Sequence, residues 1–384
     1  MGFSDFIFII LILILGLLIS NRTAKKTGVK LTYLLFFYHM FFSLFYYWYA
    51  SNRSADANMY YAQATFQGDL FERWGLGTDF IIFISSFFVQ YLHVSKLSLF
   101  FIFGFFGYIG FIYLLKLLPN QSPFKIWGIP LLTIVLFLPG FHFWTAALGK
   151  DSLFFMALML FFYYLNNLKG IENFILLLFS WLIITFIRPH MAFILGASIF
   201  ITALLRNPSK YKGSHFLLFF LSIGFAIIFY PYLLEFLSID SLDMEKAANR
   251  INSFNQYGAT NVDELNSYVD VSNYPLLLKM FTYLFRPLFF DARSVMQLIA
   301  SFENLIILLI ILKWSKIIKY QYRKWYKSLI LPKQIMAIYV LFAWIILGAS
   351  MYNLGLASRQ KYMILPVIFI LIFTISRKGQ KQLK

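Results

Sequence analysis

The chain contains no cysteine and only five histidines in 384 residues. Without thiols it has no disulfide, no cysteine nucleophile and no cysteine-based metal site. The histidines are scattered, and no two of them have the HxH or HxxxH spacing of a typical histidine metal site. We therefore predict no protein-bound metal centre and no cofactor.

Several functional motifs are also missing. The sequence has no GxxxxGK[ST] phosphate loop and no GxSxG nucleophile elbow, which argues against a P-loop NTPase and an α/β-hydrolase. No apolar run carries the several carboxylates of a typical proton-coupled pump, and no inverted repeat is visible.

Acidic residues are few, with 16 Asp and Glu against 33 Lys and Arg and a net charge of +17. Such a balance is also typical of nucleic-acid-binding proteins. Here the cations lie mainly between apolar runs, where they orient membrane spans and contact anionic headgroups. We therefore expect membrane lipids, and no nucleic acid, as partners.

Apolar residues dominate what is present. The chain is 60% hydrophobic, contains 48 Phe and 25 Tyr, and has a mean hydropathy of +0.73. This composition predicts an all-α, polytopic integral membrane helix bundle, with one transmembrane domain over residues 1–384. The first apolar run, Phe3–Ser20, has no basic n-region and no small-residue cleavage site, so we expect a retained span rather than a signal peptide.

The basic segments predict the topology. Four of them should share the cytoplasmic side: 21–30, 206–212, 313–333 and 377–384. Counting every apolar run as a span gives 13 spans and places 206–212 outside. If the short runs near 79–92 and 275–290 are re-entrant or lie in the membrane plane, the count is 11 and all four segments are inside. We favour 11 spans, with the N-terminus and the loops 51–78 and 238–274 outside and the C-terminus inside.

Residues 174–205 form the most informative stretch. Two apolar runs flank Arg188, the helix-breaking Pro189 and His190. Together the runs are too long for one span, so we predict a helical hairpin with its polar turn below the membrane surface. A charged group at that depth is a candidate functional site. The alternatives are a snorkelling Arg188 in a thinned bilayer and a His190 satisfied by backbone.

Other cations share this arrangement. Lys150, Arg188 and the pair Arg359 and Lys361 each lie on the outer side of a short apolar run. Such cations can converge on one anion, because arginine binds phosphate oxygens bidentately and lysine adds a point charge. Snorkelling is again the alternative for each.

Arg286 belongs to a different pattern. Lys279, Arg286 and Arg293 recur every seven residues and predict a basic stripe on an in-plane helix, although Pro287 interrupts it. The stripe would hold a lipid phosphate or simply anchor the helix at the membrane surface.

The first outer loop supplies the candidate catalytic residue. Asp56 in SADANMYY is placed to act as a general base toward a sugar hydroxyl, and Tyr60, Tyr61 and Trp74 to stack on sugar faces. A helix cap or a solvated charge is the alternative for Asp56. Asp151, next to Lys150, is interpreted as the N-cap of the following helix.

These motifs resemble a known group in their order along the chain. The series is Asp56 with Tyr60 and Tyr61, LPGFHFWTAALGKDS, Arg188-Pro189-His190, LFRPLFFDARS and finally Arg359-Gln360-Lys361-Tyr362. It is similar to Wzy-type and EpsG-type polysaccharide polymerases and their GT-C glycosyltransferase relatives.

The resemblance implies a glycosyltransferase that uses a polyprenyl-diphosphate-linked oligosaccharide, in the cytoplasmic membrane of a bacterium, with other polysaccharide-assembly proteins as partners. It assigns the carboxylate role to Asp56 and the diphosphate-binding roles to Arg188 and Arg359. The first loop lacks a second adjacent acid, which leaves a requirement for a divalent cation open. The alternatives are transfer of a single sugar from a polyprenyl-phosphate donor and transport of the lipid-linked glycan without catalysis.

Overall fold

The computed structural model describes residues 2–118, 125–205, 220–224, 269, 271, 273–321, 329–351 and 353–382, and only the backbone of 316–321 and 375–382. The predicted basic segment 206–212 lies outside these residues. The predicted span His215–Leu237 and the predicted outer loop 238–274 lie largely outside them.

The described part of the chain is almost entirely helical, which confirms the all-α prediction. Its helices are α1 Phe3–Thr27, α2 Thr32–Ser51, α3 Asp56–Thr65, α4 Thr78–Ser86, α5 Lys96–Leu117, α6 Leu131–Leu136, α7 Pro139–Thr145, α8 Lys150–Asn166, α9 Gly170–Ile187, α10 Pro189–Leu204, α11 Leu276–Phe285, α12 Val295–Gln321, α13 Leu331–Ala349, α14 Leu354–Gln360 and α15 Leu365–Gln382. One small antiparallel ribbon joins β1, Lys125–Ile126, to β2, Ile129–Pro130.

Five of these helices are long and apolar enough to cross a membrane: α1, α5, α9, α12 and α13. The pair α14 and α15, bent by 47°, gives a sixth if it forms one broken span. These helices indicate a membrane-embedded protein. Shorter apolar helices in the described residues are Thr78–Tyr91, Leu131–Thr145, Pro189–Leu204 and Leu276–Phe285. The stretch Leu131–Thr145 is divided into α6 and α7, since Pro139 cannot continue α6.

The chain divides into two compact units, Met1–Pro189 and His190–Lys384. The single domain predicted over 1–384 stays a prediction.

In the first unit, α1 and α5 run parallel. At their start, the Asp5 carboxylate accepts a hydrogen bond from the Ser95 amide at 2.9 Å. Nearer their end, the hydroxyl groups of Ser20 and Tyr108 are 2.6 Å apart. Both contacts join residues at matching heights, so the two helices begin at the same end of the unit.

The end of α2 lies at this same end. Asn58 donates from Nδ2 to the Ala50 carbonyl at 2.7 Å, and its Oδ1 accepts from Lys96 at 2.8 Å. Residues 52–95 therefore leave α2 and return to α5 at one end of the first unit. Within them, α4 and the following π-helical turn over 78–91 cover only about 21 Å at about 1.5 Å per residue, against a bilayer core of roughly 30 Å.

Glycine allows close packing of α5 at the centre of this unit. A Cβ atom on Gly107 would lie 2.1 Å from the Thr145 carbonyl oxygen, and one on Gly104 would lie 1.9 Å from the Ser43 hydroxyl. A side chain at either glycine would displace the neighbouring residue. The backbone of α5 therefore packs directly against α2 and the end of α7. Bulky residues such as Phe103 and Phe111 fill the rest of this core.

In the second unit, α11 packs closely on α13. The Trp344 indole donates to the Met280 carbonyl at 2.9 Å, and a Cβ on Gly348 would lie 3.0 Å from the Met280 Cα. The end of α11 and the loop after it are thereby fixed beside α13.

Candidate functional site

The predicted site residues are divided between the two units. The first unit contains Asp56, Tyr60, Tyr61, Trp74, Lys150 and Arg188, and the second contains His190, Arg286, Arg359 and Lys361. The structure brings several members of each group together within their own unit.

Arg188 lies at the break that Pro189 imposes. Since the residue before a proline is pushed out of the helical region, α9 ends at Ile187 and Arg188 is extended, with φ −147° and ψ 80°. Its side chain is only 9% exposed and donates from Nη2 to Asp151 Oδ1 at 2.6 Å. Its buried Nε has no hydrogen-bond partner among the residues that the structure describes. The guanidinium therefore keeps a donor for a further acceptor.

Asp151 has a different role from the one that we predicted. Gly149, not Asp151, is the N-cap of α8, and no side-chain hydrogen bond caps this helix. Asp151 lies in the first turn, and its carboxylate contacts Arg188 instead. The prediction of a helix cap is wrong because the arginine, brought alongside by α9, competes for the carboxylate more strongly than a neutral backbone amide.

Loop 51–78 contacts both cation-bearing turns. The Gly77 amide donates to the Phe186 carbonyl at 2.6 Å, two residues before Arg188. A Cβ on Gly77 would lie 3.6 Å from Lys150 Nζ, and the backbone there has φ +67°, a value that favours glycine. Lys150, the Arg188 turn and this part of loop 51–78 thus lie at one end of the first unit.

Aromatic residues surround this contact. The Trp74 ring packs edge-on against Phe186 and Phe83, with centroids 4.7 Å and 4.9 Å away. Trp74 nevertheless exposes 49% of its surface, whereas Tyr60 exposes only 2%. Trp74 and the half-buried Tyr61 can therefore present a ring to a ligand, while Tyr60 packs inside the unit.

Asp56 begins α3 and is exposed. A carboxylate in the first turn of a helix interacts favourably with the helix dipole. Asp56 precedes Asn58, which ties α3 to the end of α2. Asp56 therefore lies near the end of α2, at the end of the first unit where α5 begins.

Lys361 is the most buried predicted cation in the second unit, at 1% exposure. It donates to Asn304 Oδ1 at 2.5 Å and lies 4.0 Å from Glu303 Oε1. The hydroxyl of the adjacent Tyr362 also donates to Glu303. Lys361 thus already has a carboxylate partner on α12.

Arg286 is also paired. It does not lie on a helical stripe, because α11 ends at Phe285 and Pro287 prevents continuation. Its Nε and Nη2 donate to the two oxygens of Asp291, at 3.0 Å and 2.5 Å. This bidentate pair raises the pKa of Arg286. Burial alone would raise the pKa of Asp291, but the hydrogen bonds from Arg286 and the Leu288 amide keep it below the ordinary 3.8.

Asn304 connects these two predicted binding residues. Its Oδ1 accepts from Lys361, and its Nδ2 donates to the Pro287 carbonyl at 2.8 Å. The Arg286 loop and the Lys361 turn are therefore both attached to α12. Arg359, in the last turn of α14, and His190, in the first turn of α10, are half-buried.

Sequence reasoning missed several buried polar groups. Glu303 and Asn304 were overlooked, although an acid inside the apolar run 294–312 is a signal in itself. A histidine pair was also missed, since His39 and His142 are fully buried with their Nδ1 atoms 2.8 Å apart. His142 Nε2 lies 2.7 Å from the Leu136 carbonyl and must donate to it, so His39 donates between the two rings.

The charge of the first-unit site is suited to an anion. Lys150 and Arg188 carry two positive charges and Asp151 one negative charge, so the cluster is positive overall. No group of three His, Asp or Glu residues in the described ranges could hold a metal ion. No family model, curated protein or solved structure matches this chain.

Proposed function

We propose that the protein is a membrane glycosyltransferase of the polymerase type, which joins oligosaccharides carried on a polyprenyl diphosphate. One observation carries the proposal: Lys150 and Arg188 meet the aromatic outer loop at one end of the first unit. Arg188 in this contact is a buried cation with an unused donor, and the neighbouring Trp74 is exposed.

The shape of such a donor explains why these groups would occur together. A lipid-linked diphosphate sugar has an apolar tail in the membrane, an anion at headgroup depth and a sugar in water. The Arg188 Nε and the Lys150 ammonium would bind the diphosphate, and Trp74 and Tyr61 would stack on the sugar. Tyr60 would support α3 from within rather than touch the sugar, because it is buried.

Glycosyl transfer requires a base for the acceptor hydroxyl and positive charge near the departing diphosphate. In our proposal Asp56 Oδ accepts the hydroxyl proton as the new glycosidic bond forms, and the donor's bond to the diphosphate breaks. Lys150 and Arg188 stabilise the negative charge on that leaving group. Arg286, Arg359, Lys361 and His190 belong to the second unit and stay predicted substrate ligands. Binding a phosphate there would require Arg286 and Lys361 each to exchange a carboxylate for it.

The proposal includes 11 spans with the N-terminus and the site outside. Two observations support it over 13 spans. Residues 52–95 leave and return at one end of the first unit, so 79–92 need not cross the membrane. Loop 51–78 also contacts the Lys150 and Arg188 turns, which would lie on the opposite side from Asp56 if there were 13 spans.

The test uses purified protein in liposomes with a polyprenyl-diphosphate-linked oligosaccharide, and follows product length by gel electrophoresis. Wild type should form a ladder of polymers. Asp56→Asn should reduce the rate about 10²–10⁴-fold, as expected for loss of a general base. Arg188→Gln should reduce it about 10²–10³-fold through loss of charge stabilisation.

Asp69→Asn is the matched control, because Asp69 is an exposed acid in the same loop. It should leave the rate unchanged. A rate for Asp56→Asn equal to wild type would remove the catalytic role. Products with one added sugar would favour the single-sugar transferase, and movement of the lipid across the bilayer without product would favour a transporter.

A further inference from the structure

A cavity of about 410 Å³ lies between α1 and α5, far along both helices from the outer loop. Three cations line it, Arg22 and Lys26 from α1 and Lys116 from α5. Because α1 and α5 run parallel, these residues lie toward the end of the first unit opposite Asp5 and Ser95. The cavity is therefore separate from the candidate site.

The cations of this cavity face one another without an acid. The charges of Arg22 and Lys26 repel the Lys116 ammonium. In the part of the chain that the structure describes, none of the three forms an ion pair with a carboxylate. Lys116 lies instead over the Tyr113 ring, 4.0 Å from its centroid. Such a cluster is strained by repulsion until an anion binds between its members.

The remaining lining of the cavity is amphipathic. Ile19, Ile109 and Ile112 supply an apolar wall, and Thr23 and Thr27 supply hydroxyl groups. A free inorganic anion would use only the cationic part. A molecule with a phosphate attached to an apolar body would use both parts.

We propose that this cavity binds the headgroup phosphate of an anionic phospholipid. Arg22 and Lys26 bind the phosphate oxygens from α1, and Lys116 binds them from α5. The upper acyl segment lies against the isoleucine wall. The bound lipid joins the ends of α1 and α5 and offsets their mutual repulsion. Basic cavities between transmembrane helices bind anionic headgroups in this way.

The experiment measures binding of short-chain phosphatidylglycerol to the purified full-length protein in neutral detergent, by native mass spectrometry and by the shift in unfolding temperature. Phosphatidylcholine and inorganic phosphate are the comparison ligands. Phosphatidylglycerol should bind and raise the unfolding temperature. Phosphatidylcholine should bind weakly because it is zwitterionic, and phosphate should bind weakly because it leaves the apolar wall bare.

Two variants remove the same charge from the same basic segment. R22Q/K26Q removes two cations that line the cavity, whereas K25Q/K30Q removes two exposed cations that do not. Each cation that contacts a lipid headgroup contributes a factor of roughly five to the binding constant. R22Q/K26Q should therefore weaken phosphatidylglycerol binding about 30-fold, and Lys116→Gln should weaken it about fivefold. K25Q/K30Q should bind as wild type.

Three results would overturn the proposal. Equal weakening in K25Q/K30Q and R22Q/K26Q would show general surface attraction. Equal stabilisation by inorganic phosphate would assign the cavity to a free anion. Phosphatidylglycerol binding that is unchanged in R22Q/K26Q would place the lipid elsewhere. The unfolding temperature without lipid reports whether each variant is folded. Because Arg22 and Lys26 are exposed, we expect R22Q/K26Q to fold as wild type does.

Discussion

Arg188 at the end of α9 and Asp151 at the start of α8 form a buried ion pair, with Nη2 2.6 Å from Oδ1. The pair joins residues on two neighbouring antiparallel helices at the same end of the first unit. It holds the guanidinium in place, and the Arg188 Nε has no hydrogen-bond partner among the described residues. The same contact therefore serves the packing of α8 on α9 and the orientation of the proposed anion ligand.

Asp151→Asn should destabilise the protein by about 3–5 kcal/mol, because it leaves a buried arginine without its counter-charge. Denaturant unfolding in detergent micelles would measure this loss. The double variant Asp151→Asn/Arg188→Met should recover most of it, since no unpaired charge remains. Asp56→Asn, at an exposed position, should stay within about 0.5 kcal/mol of wild type. Equal stability of Asp151→Asn and wild type would show that the pair is not buried in the membrane-embedded protein.

Gly77→Ala should cost about 1–3 kcal/mol through backbone strain at φ +67°. The added Cβ would itself fit, 3.6 Å from Lys150 Nζ, so any shift of the loop beside Lys150 would come from relief of the backbone strain. Gly128→Ala is the matched control, because Gly128 has φ +78° but nothing within 4 Å of the added methyl group. Both variants should lose stability, but only Gly77→Ala should lower glycosyl transfer. Unfolding curves and initial rates measured on the same preparations would separate these effects. Equal activity of the two variants would contradict the role of this contact.

Gly107→Ala should destabilise the first unit by at least about 3 kcal/mol. The added methyl group would lie 2.1 Å from the Thr145 carbonyl oxygen, and this backbone atom cannot move away as a side chain can. Gly110→Ala on the same helix should cost less. There the methyl group first meets the Phe155 ring, at 2.6 Å, and this side chain can rotate. Thermal unfolding of the two variants in parallel would test the order. The reverse order would show that α5 does not pack on α7 through Gly107.

Glu303→Gln should destabilise the second unit by about 3–5 kcal/mol, because Lys361 keeps its bond to Asn304 but loses the carboxylate. The double variant Glu303→Gln/Lys361→Met should be more stable than Glu303→Gln alone. Lys279→Met removes a half-buried lysine from α11 and serves as the control for loss of one cation. Chemical denaturation would give the coupling free energy between Glu303 and Lys361. Additive effects of the two substitutions would exclude a direct interaction.

The Arg286–Asp291 pair should make stability depend on acid. The folded protein holds the pKa of Asp291 below its ordinary 3.8, so the unfolded chain takes up this proton first as pH falls. The contribution of the pair is therefore complete about one pH unit above 3.8, declines as pH falls through 3.8, and is lost as pH falls through the lower folded value. Unfolding free energies measured between pH 3 and pH 6 should decline toward acid in wild type. Asp291→Asn should show a flatter decline over the same range.

The two helices on either side of Pro189 show how far local sequence determines this fold. Pro189 predicted a break between two apolar helices, and the structure has that break at Arg188, between α9 and α10. By contrast, the partners of Arg188 and Lys361 lie on other helices, and no local pattern indicates which side chains those helices bring together. Asp151 was misread for this reason: its position beside a helix start suggested a cap, and only the packing of α9 supplies the arginine.

Aromatic residues illustrate a second limit. Tyr60 and Tyr61 are adjacent and chemically identical, yet only Tyr60 is buried. Which of them faces inward depends on how α3 is rotated against α2 and α4, and the weak amphipathicity of DANMYYAQAT does not fix that rotation. The sequence could therefore locate the aromatic rim of the candidate site but could not say which ring is accessible.

The return of residues 52–95 to the end from which they left has a consequence for how this protein can be altered. An insertion in this segment, for example an epitope at the exposed Gly68, would leave the direction of α5 in the first unit unchanged. Residues 52–95 can thus be lengthened, shortened or substituted while α1, α2 and α5 still pack as before. A segment with that freedom can therefore change its sequence at small cost to the packing of α1, α2 and α5.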